Sequence, residues 1–187
     1  FEKEFELDVA ALRFASEQFG LKECLRLSIH SGSDKFSIYP VMNRIIKKFD
    51  TGLHLKTAGT TWLEEVIGLA EAGGDGLAVA KKVYVGALNR YDELAAPYAA
   101  VIDIDPQQLP SIETVNGWSS ENYVRTLRHD PDCPDYNPSF RQLIHVAYKV
   151  AFELGDEYMQ ALEKHADIVG KNVTHNFLER HIIPIFG

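Results

Sequence analysis

Apolar positions recur at helical spacing over residues 9–19, and Gly20 follows as a stop, which predicts a first helix. The period then changes from about 3.6 to two. Leu25, Leu27 and Ile29 alternate with Arg26, Ser28 and His30, the pattern of a strand with one apolar face. Over 35–49 helical spacing returns, with Ile38, Val41, Met42, Ile45 and Ile46 on one stripe. Pro40 must sit in the first turn of that helix, where its missing N–H is harmless. Residues 50–52 form a turn, and 53–57 predict a second strand with Leu53 and Leu55 on one side, His54 and Lys56 on the other. Thr60 or Thr61 then reads as an N-cap, with Glu64 spaced for a capping box. Leu63, Val66, Ile67 and Ala70 supply the buried stripe of this helix. Gly73, Gly74 and Gly76 break it, and a longer helix is expected over 77–96.

Between residues 97 and 138 the periodicity fails. A short strand over 101–105 and a short helix over 120–129 are the elements expected there, with 130–138 irregular. So long a loop-rich stretch is either functional or an insertion. Residues 141–146 read as a third strand, followed by helices over 148–165 and 167–180. Alternating strands and helices predict an α/β fold with a parallel sheet and right-handed crossovers. The leucine faces pack under the helices, and the Arg26, Ser28 and His30 face turns into the lumen if the sheet closes into a barrel. Three strands cannot close an eight-stranded barrel. The chain therefore reads as a single domain over 1–187 that is roughly half of one, a piece of something longer, in keeping with Phe1 in place of a methionine.

Composition narrows the function. With 45% hydrophobic and 25% charged residues, the chain is an ordinary globular one with room for a core. A net charge of -8 argues against nucleic acid as the main partner, because phosphate binding needs a positive surface. It leaves room for a small anion held by a few lysines. Cys24 and Cys133 form no disulfide framework and no zinc-ribbon spacing, which favours a reducing cytoplasm. No apolar run approaches the roughly 20 residues that span a bilayer, so no membrane partner is expected.

Four strings of residues are more specific than any of these properties. They run over 27–40 (LSIHSGSDKFSIYP), 54–64 (HLKTAGTTWLE), 137–150 (NPSFRQLIHVAYKV) and 172–181 (NVTHNFLERH). In them the chain resembles the tagaturonate/fructuronate epimerases of hexuronate catabolism, whose proteins are much longer, so the likeness is to their C-terminal portion. The resemblance implies the C-terminal part of a TIM-like (β/α) barrel and a metal-dependent enzyme that interconverts D-tagaturonate and D-fructuronate.

Within that frame the polar strand ends acquire roles. Neighbouring parallel strands lie about 4.8 Å apart, so His30 and His54 at one height would share a divalent cation of the zinc, manganese, iron or nickel class. Either histidine alone is more simply read as a locally hydrogen-bonded one; the pair shifts the balance. His145, near the end of the third strand, is expected as a further ligand or a general acid/base. Lys56 would hold substrate or polarise a carbonyl oxygen, and Asp34 would pair with Lys35 or orient a histidine. Lys35 offers a cation to the sugar carboxylate, and Arg141 flanks the same mouth. Ser31, Gly32 and Ser33, with Thr57 and Gly59, offer hydroxyls and N–H groups at helix starts, where anions are stabilised. His129, His165, His175 and His181 read as structural or exposed.

The two hexuronates differ at the hydroxyl carbon β to the ketone, which simple enolisation does not reach. Retro-aldol cleavage and re-addition to the other face does invert it, and no glycine-rich dinucleotide fingerprint supports an oxidative route. Two rivals remain: another metal-dependent sugar isomerase on the same barrel, and an inactive half-barrel lacking its partner strands. The expected partners are a sugar acid, and either a second copy of the chain or the missing N-terminal half.

Overall fold

Two four-residue strands and a set of helices make up the computed structural model, which describes residues 1–21, 25–30 and 35–187. Ser31, Gly32, Ser33 and Asp34, four of the expected site residues, lie outside the described residues, as does Cys24. The chain divides into two compact units: 1–60 with 175–187, and 61–174.

In the first unit α1 (Glu2–Phe19) starts well before the expected residue 9. Phe5 and Val9, four residues apart and both buried, extend the inward stripe, and Glu2 and Glu4 favour the positive end of the helix dipole. Gly20 ends it in the left-handed conformation (φ 60°) and donates its N–H to the Ser16 carbonyl, the cap for which glycine is suited. Then come β1 (Leu27–His30), a 3-10 turn over Phe36–Ile38, α2 (Tyr39–Lys48) and β2 (Leu53–Lys56). Pro40 lies at the start of α2, as its geometry requires. Arg44 bonds Glu2 at 2.9 Å, Lys48 pairs with Glu6, and Arg13 reaches the Phe49 carbonyl at 2.7 Å, so α1 and α2 are clamped along their exposed sides.

β1 and β2 are parallel, and the core of this unit lies against one face of their sheet. Phe5, Val9, Tyr39, Met42, Ile45, Ile46 and Ile185 are buried there, with Leu27, Ile29, Leu53 and Leu55 packed on them. Full burial of each such side chain is worth roughly 1.5–3 kcal/mol. That layer fixes the parity of both strands.

α3 (Ala58–Ala72) begins two residues before the expected cap. The Thr60 hydroxyl donates to the Thr57 carbonyl at 2.9 Å, and Glu64 is buried. The stripe of Leu63, Val66, Ile67 and Ala70 is buried, as the spacing predicts. α3 leads into the second unit, where α4 (Gly74–Asn89) follows a turn with Gly73 and Gly74 at positive φ. Arg90 leaves helical geometry (φ -122°, ψ 25°), so the expected long helix is divided into α4 and α5 (Tyr91–Ala95). α6 (Ile112–Asn116) and α7 (Ser120–Leu127) are capped by the Ser111 and Ser119 hydroxyls, which accept from the N–H groups of Thr114 and Asn122.

Residues 141–146 are not a strand. They belong to the helix α8 (Pro138–Val146), whose N-cap Asn137 accepts from the Phe140 N–H and whose first turn carries Pro138. Phe140, Leu143, Ile144 and Ala147 are buried at helical spacing, and Trp62 Nε1 donates to the Ile144 carbonyl at 2.9 Å. The short strand expected over 101–105 is absent too, for a related reason. Gln142 accepts from the Asp103 N–H at 2.7 Å and donates to its carbonyl at 3.1 Å, standing where a strand partner would. Among the described residues the sheet thus has two strands, and the fold is a mostly helical α/β one.

α9 (Tyr148–Leu154), α10 (Asp156–Lys164) and α11 (Ala166–Thr174) complete the second unit, with Gly155 (φ 56°) making the corner before α10. The remaining residues belong to the first unit. A π-helical turn, His175–Ile182, runs into α12 (Ile183–Phe186), and the Ile185 and Gly187 carbonyls accept from Asn43 and Lys47 on α2. Among the described residues no helix is long and apolar enough to cross a membrane.

Candidate functional site

Burial alternates along both strands: Leu27, Ile29, Leu53 and Leu55 are half-buried, whereas Ser28, His30, His54 and Lys56 are exposed. Since the apolar set packs on the helices, the four polar residues share the opposite face of the sheet. The side predicted for both imidazoles is the side they occupy.

Their height differs from the expectation. Ser28 pairs with His54 and His30 with Lys56, so the imidazoles sit on successive rungs of one face. Strand spacing of about 4.8 Å combined with two steps of roughly 3.3 Å separates their backbones by about 8 Å on the diagonal. An ion held roughly 2.0–2.1 Å from each imidazole nitrogen fits between side chains rooted so far apart. Two imidazoles are an incomplete ligand set, and among the described residues no cluster of three or more His, Cys, Asp or Glu side chains adds to them. Lys56 stands beside His54 on the same strand and face, and Lys35 is exposed where the described chain resumes after β1. Thr57 and Gly59 lie at the passage from β2 into α3.

The other expected site residues belong to the second unit and to helices. His145 is half-buried on α8, so the strand end that was to present it does not exist. Arg141 is 2% exposed and donates from Nη1 to the Leu127 carbonyl at 3.0 Å, a structural bond at the end of α7.

His181, one of the histidines read as structural or exposed, gathers with residues given no expected role against the helical turns that follow the two strands of the first unit. His181 is fully buried; its ring lies 5.3 Å from that of Phe36 and 5.4 Å from that of Tyr39. Arg180 lays its guanidinium over the Phe36 ring at 3.9 Å, within cation–π range. Asn176 is buried and donates from Nδ2 to the Thr60 carbonyl at 3.4 Å. Helical periodicity carries no signal for this arrangement, because Asn176 and His181 are five residues apart.

The fold and this face define an α/β protein with ionisable side chains on the open side of a parallel β–α–β unit. The sequence profile of the tagaturonate epimerase family (UxaE) matches residues 2–183, and the chain belongs to that family. It is 28% identical over 194 residues to the tagaturonate/fructuronate epimerase of Thermotoga maritima, an alignment covering 100% of this chain and 34% of that protein. Two glycerol complexes of the fructuronate-tagaturonate epimerase of Cohnella laeviribosi superpose with a TM-score of 0.71, at 25% and 26% identity. They cover 99% and 100% of this chain and 34% of theirs. The chain thus spans about a third of the length of the relatives it matches.

Proposed function

We propose that the protein carrying this chain interconverts D-tagaturonate and D-fructuronate, and that the open β1–β2 face supplies part of its site. Membership of the epimerase family over nearly the whole chain carries the reading, and the face shared by Ser28, His30, His54 and Lys56 supports seating part of the site on β1 and β2. The strand pair then belongs to a (β/α) barrel whose other strands lie in the remaining two thirds of such a protein, where active sites form at one end of the strands.

His30 and His54 are the residues of this chain that would hold a divalent metal. When bound, the metal supplies Lewis acidity toward a carbonyl or hydroxyl oxygen. Lys56, paired across the sheet with His30 and two residues beyond His54, holds the substrate's carboxylate or a carbonyl oxygen as a point charge. Lys35 and the Thr57 hydroxyl fix the remaining oxygens. Inversion follows retro-aldol logic: the β-hydroxyl proton passes to a base, the bond between the α and β carbons breaks with its electron pair drawn toward the ketone oxygen, and an aldehyde and an enolate result. The aldehyde turns its other face before the same bond re-forms and the proton returns. No atom is gained or lost.

The test uses the intact protein with both hexuronates, followed by NMR, together with metal analysis of wild type, His30→Ala and His54→Ala. Turnover by wild type, with bound metal and activity both lost in each variant, is the expected result. Wild-type protein inert toward both hexuronates, or variants that keep metal and rate, would overturn the reading.

A further inference from the structure

The segment His175–Ile182 is π-helical, a rare conformation that is found frequently at functional positions. Its spacing has a visible use here. His181 Nδ1 lies 2.8 Å from the carbonyl of Asn176, five residues earlier, and donates to it. In an α-helix, residues five apart point in different directions. The imidazole so fixed packs its ring against Phe36 and Tyr39, while Arg180 stacks on the Phe36 ring. Asn176 in turn bonds the Thr60 carbonyl in the first turn of α3. One short segment therefore grips the helical turns that follow both strands of the first unit: Phe36 and Tyr39 after β1, and Thr60 after β2.

We propose that His181, Arg180 and Asn176 are positioning residues for the β1–β2 face. They hold those turns so that Lys35 and Thr57, one residue from Phe36 and three from Thr60, meet the substrate in one geometry with Lys56. The proposal rests on the hexuronate reading and adds to it what keeps the carboxylate-binding groups in place. Lysine stems are long and flexible, so their orientation has to come from the backbone that carries them. A misplacement of about 1 Å far from the chemistry can lower a rate about a hundredfold. Packing and hydrogen bonds from the supporting residues are what prevent it.

The test again uses the intact protein. Arg180→Lys keeps the charge and loses the planar stack; Phe36→Leu loses the ring beneath it. His181→Asn keeps a donor for the Asn176 carbonyl and loses the ring, and His181→Phe does the reverse. Arg180→Lys and Phe36→Leu should retain the wild-type circular dichroism spectrum and unfolding midpoint. Their kcat on the hexuronates should fall at least about tenfold, with KM moving much less. The preference for the hexuronate over the neutral ketose of the same skeleton should fall with it. The double variant should be no worse than the poorer single one, because both remove one contact. Rates and preference unchanged in these folded variants would overturn the proposal, as would losses that track stability in all four variants. Wild-type protein inert toward both hexuronates would instead sink the functional reading itself; active wild type with unaffected variants sinks the positioning role alone.

Discussion

Arg141 reaches across from α8 and gives an N–H to the carbonyl of Leu127 at 3.0 Å, at the point where α7 ends. The side chain is 2% exposed, so both donor and acceptor have left water and depend on each other. Losing one partner of a buried polar pair costs about 1–3 kcal/mol, more when the group is charged. Arg141→Ala is therefore expected to lower stability by about 3 kcal/mol, read as a drop in the urea midpoint. The KM of the protein that stays folded should match wild type. A raised KM with intact stability would return Arg141 to the substrate.

Two helix glycines should respond in opposite directions to the same substitution. A Cβ on Gly68 would lie 2.7 Å from the Val169 Cα, which no side-chain rotation relieves. Overpacking against backbone costs about 1–3 kcal/mol, so Gly68→Ala should lower the unfolding midpoint. Gly170, on the same α11 as Val169, has open space around its Cβ position. Gly170→Ala should stabilise by about 0.5–1 kcal/mol through helix propensity alone. Thermal unfolding of the two variants side by side checks both signs.

Glu65 should make stability fall as pH rises. Burial raises its carboxyl above the ordinary 4.5, and the Tyr158 hydroxyl, donating at 3.0 Å, offsets this only in part. The folded state thus binds the proton more tightly than the unfolded chain, so the contribution is whole below the ordinary value and is lost as pH climbs through the raised one. Glu65→Gln removes that titration and keeps an oxygen for Tyr158. The variant should be more stable than wild type at neutral pH by no more than about 1 kcal/mol, as suits a half-buried group. The gap should close below pH of about 4. Chemical denaturation across that range decides it.

Asp75 predicts the opposite limb. Hydrogen bonds from Lys164 at 2.7 Å and from His165 at 3.0 Å hold its carboxyl down to about 2, from an ordinary 3.8. Its contribution is present above the ordinary value and disappears as pH falls through about 2. Asp75→Asn should be the less stable protein at pH of about 5 and converge with wild type near pH of about 2. Denaturant midpoints that differ equally at both pH values would count against this.

Which features are legible in the sequence follows from the range of each signal. Period-two alternation in 27–30 and 53–56 is local and strong, so the facing of His30 and His54 can be read from the residues alone. Their rungs cannot, because register depends on how Leu27 meets Leu53 across a connection of more than twenty residues. Residues 141–146 alternate poorly, and their helix is announced upstream by Asn137 and Pro138, outside the window that suggests a strand. Over 101–105 the bonds of a strand are supplied to Asp103 by Gln142 from a helix, a long-range pairing that spacing does not show. The pairing of His181 with Asn176 escapes because a 3.6-residue wheel separates them, while the π turn brings them together. Arg141 reads as a cation at the mouth of the site; burial of a charge against a helix end leaves no mark on spacing.

Alternation on β1 and β2 also sets what kind of change these strands can absorb. Exchanging one side chain for another alters one spot, but adding or deleting a single residue inside either strand shifts the frame and swaps the two faces beyond that point. Imidazole and ammonium groups would then be driven into the layer of Leu27, Ile29, Leu53 and Leu55, and those aliphatics out of it. Insertions and deletions are therefore expected to be tolerated in the connections of this unit and not inside its strands.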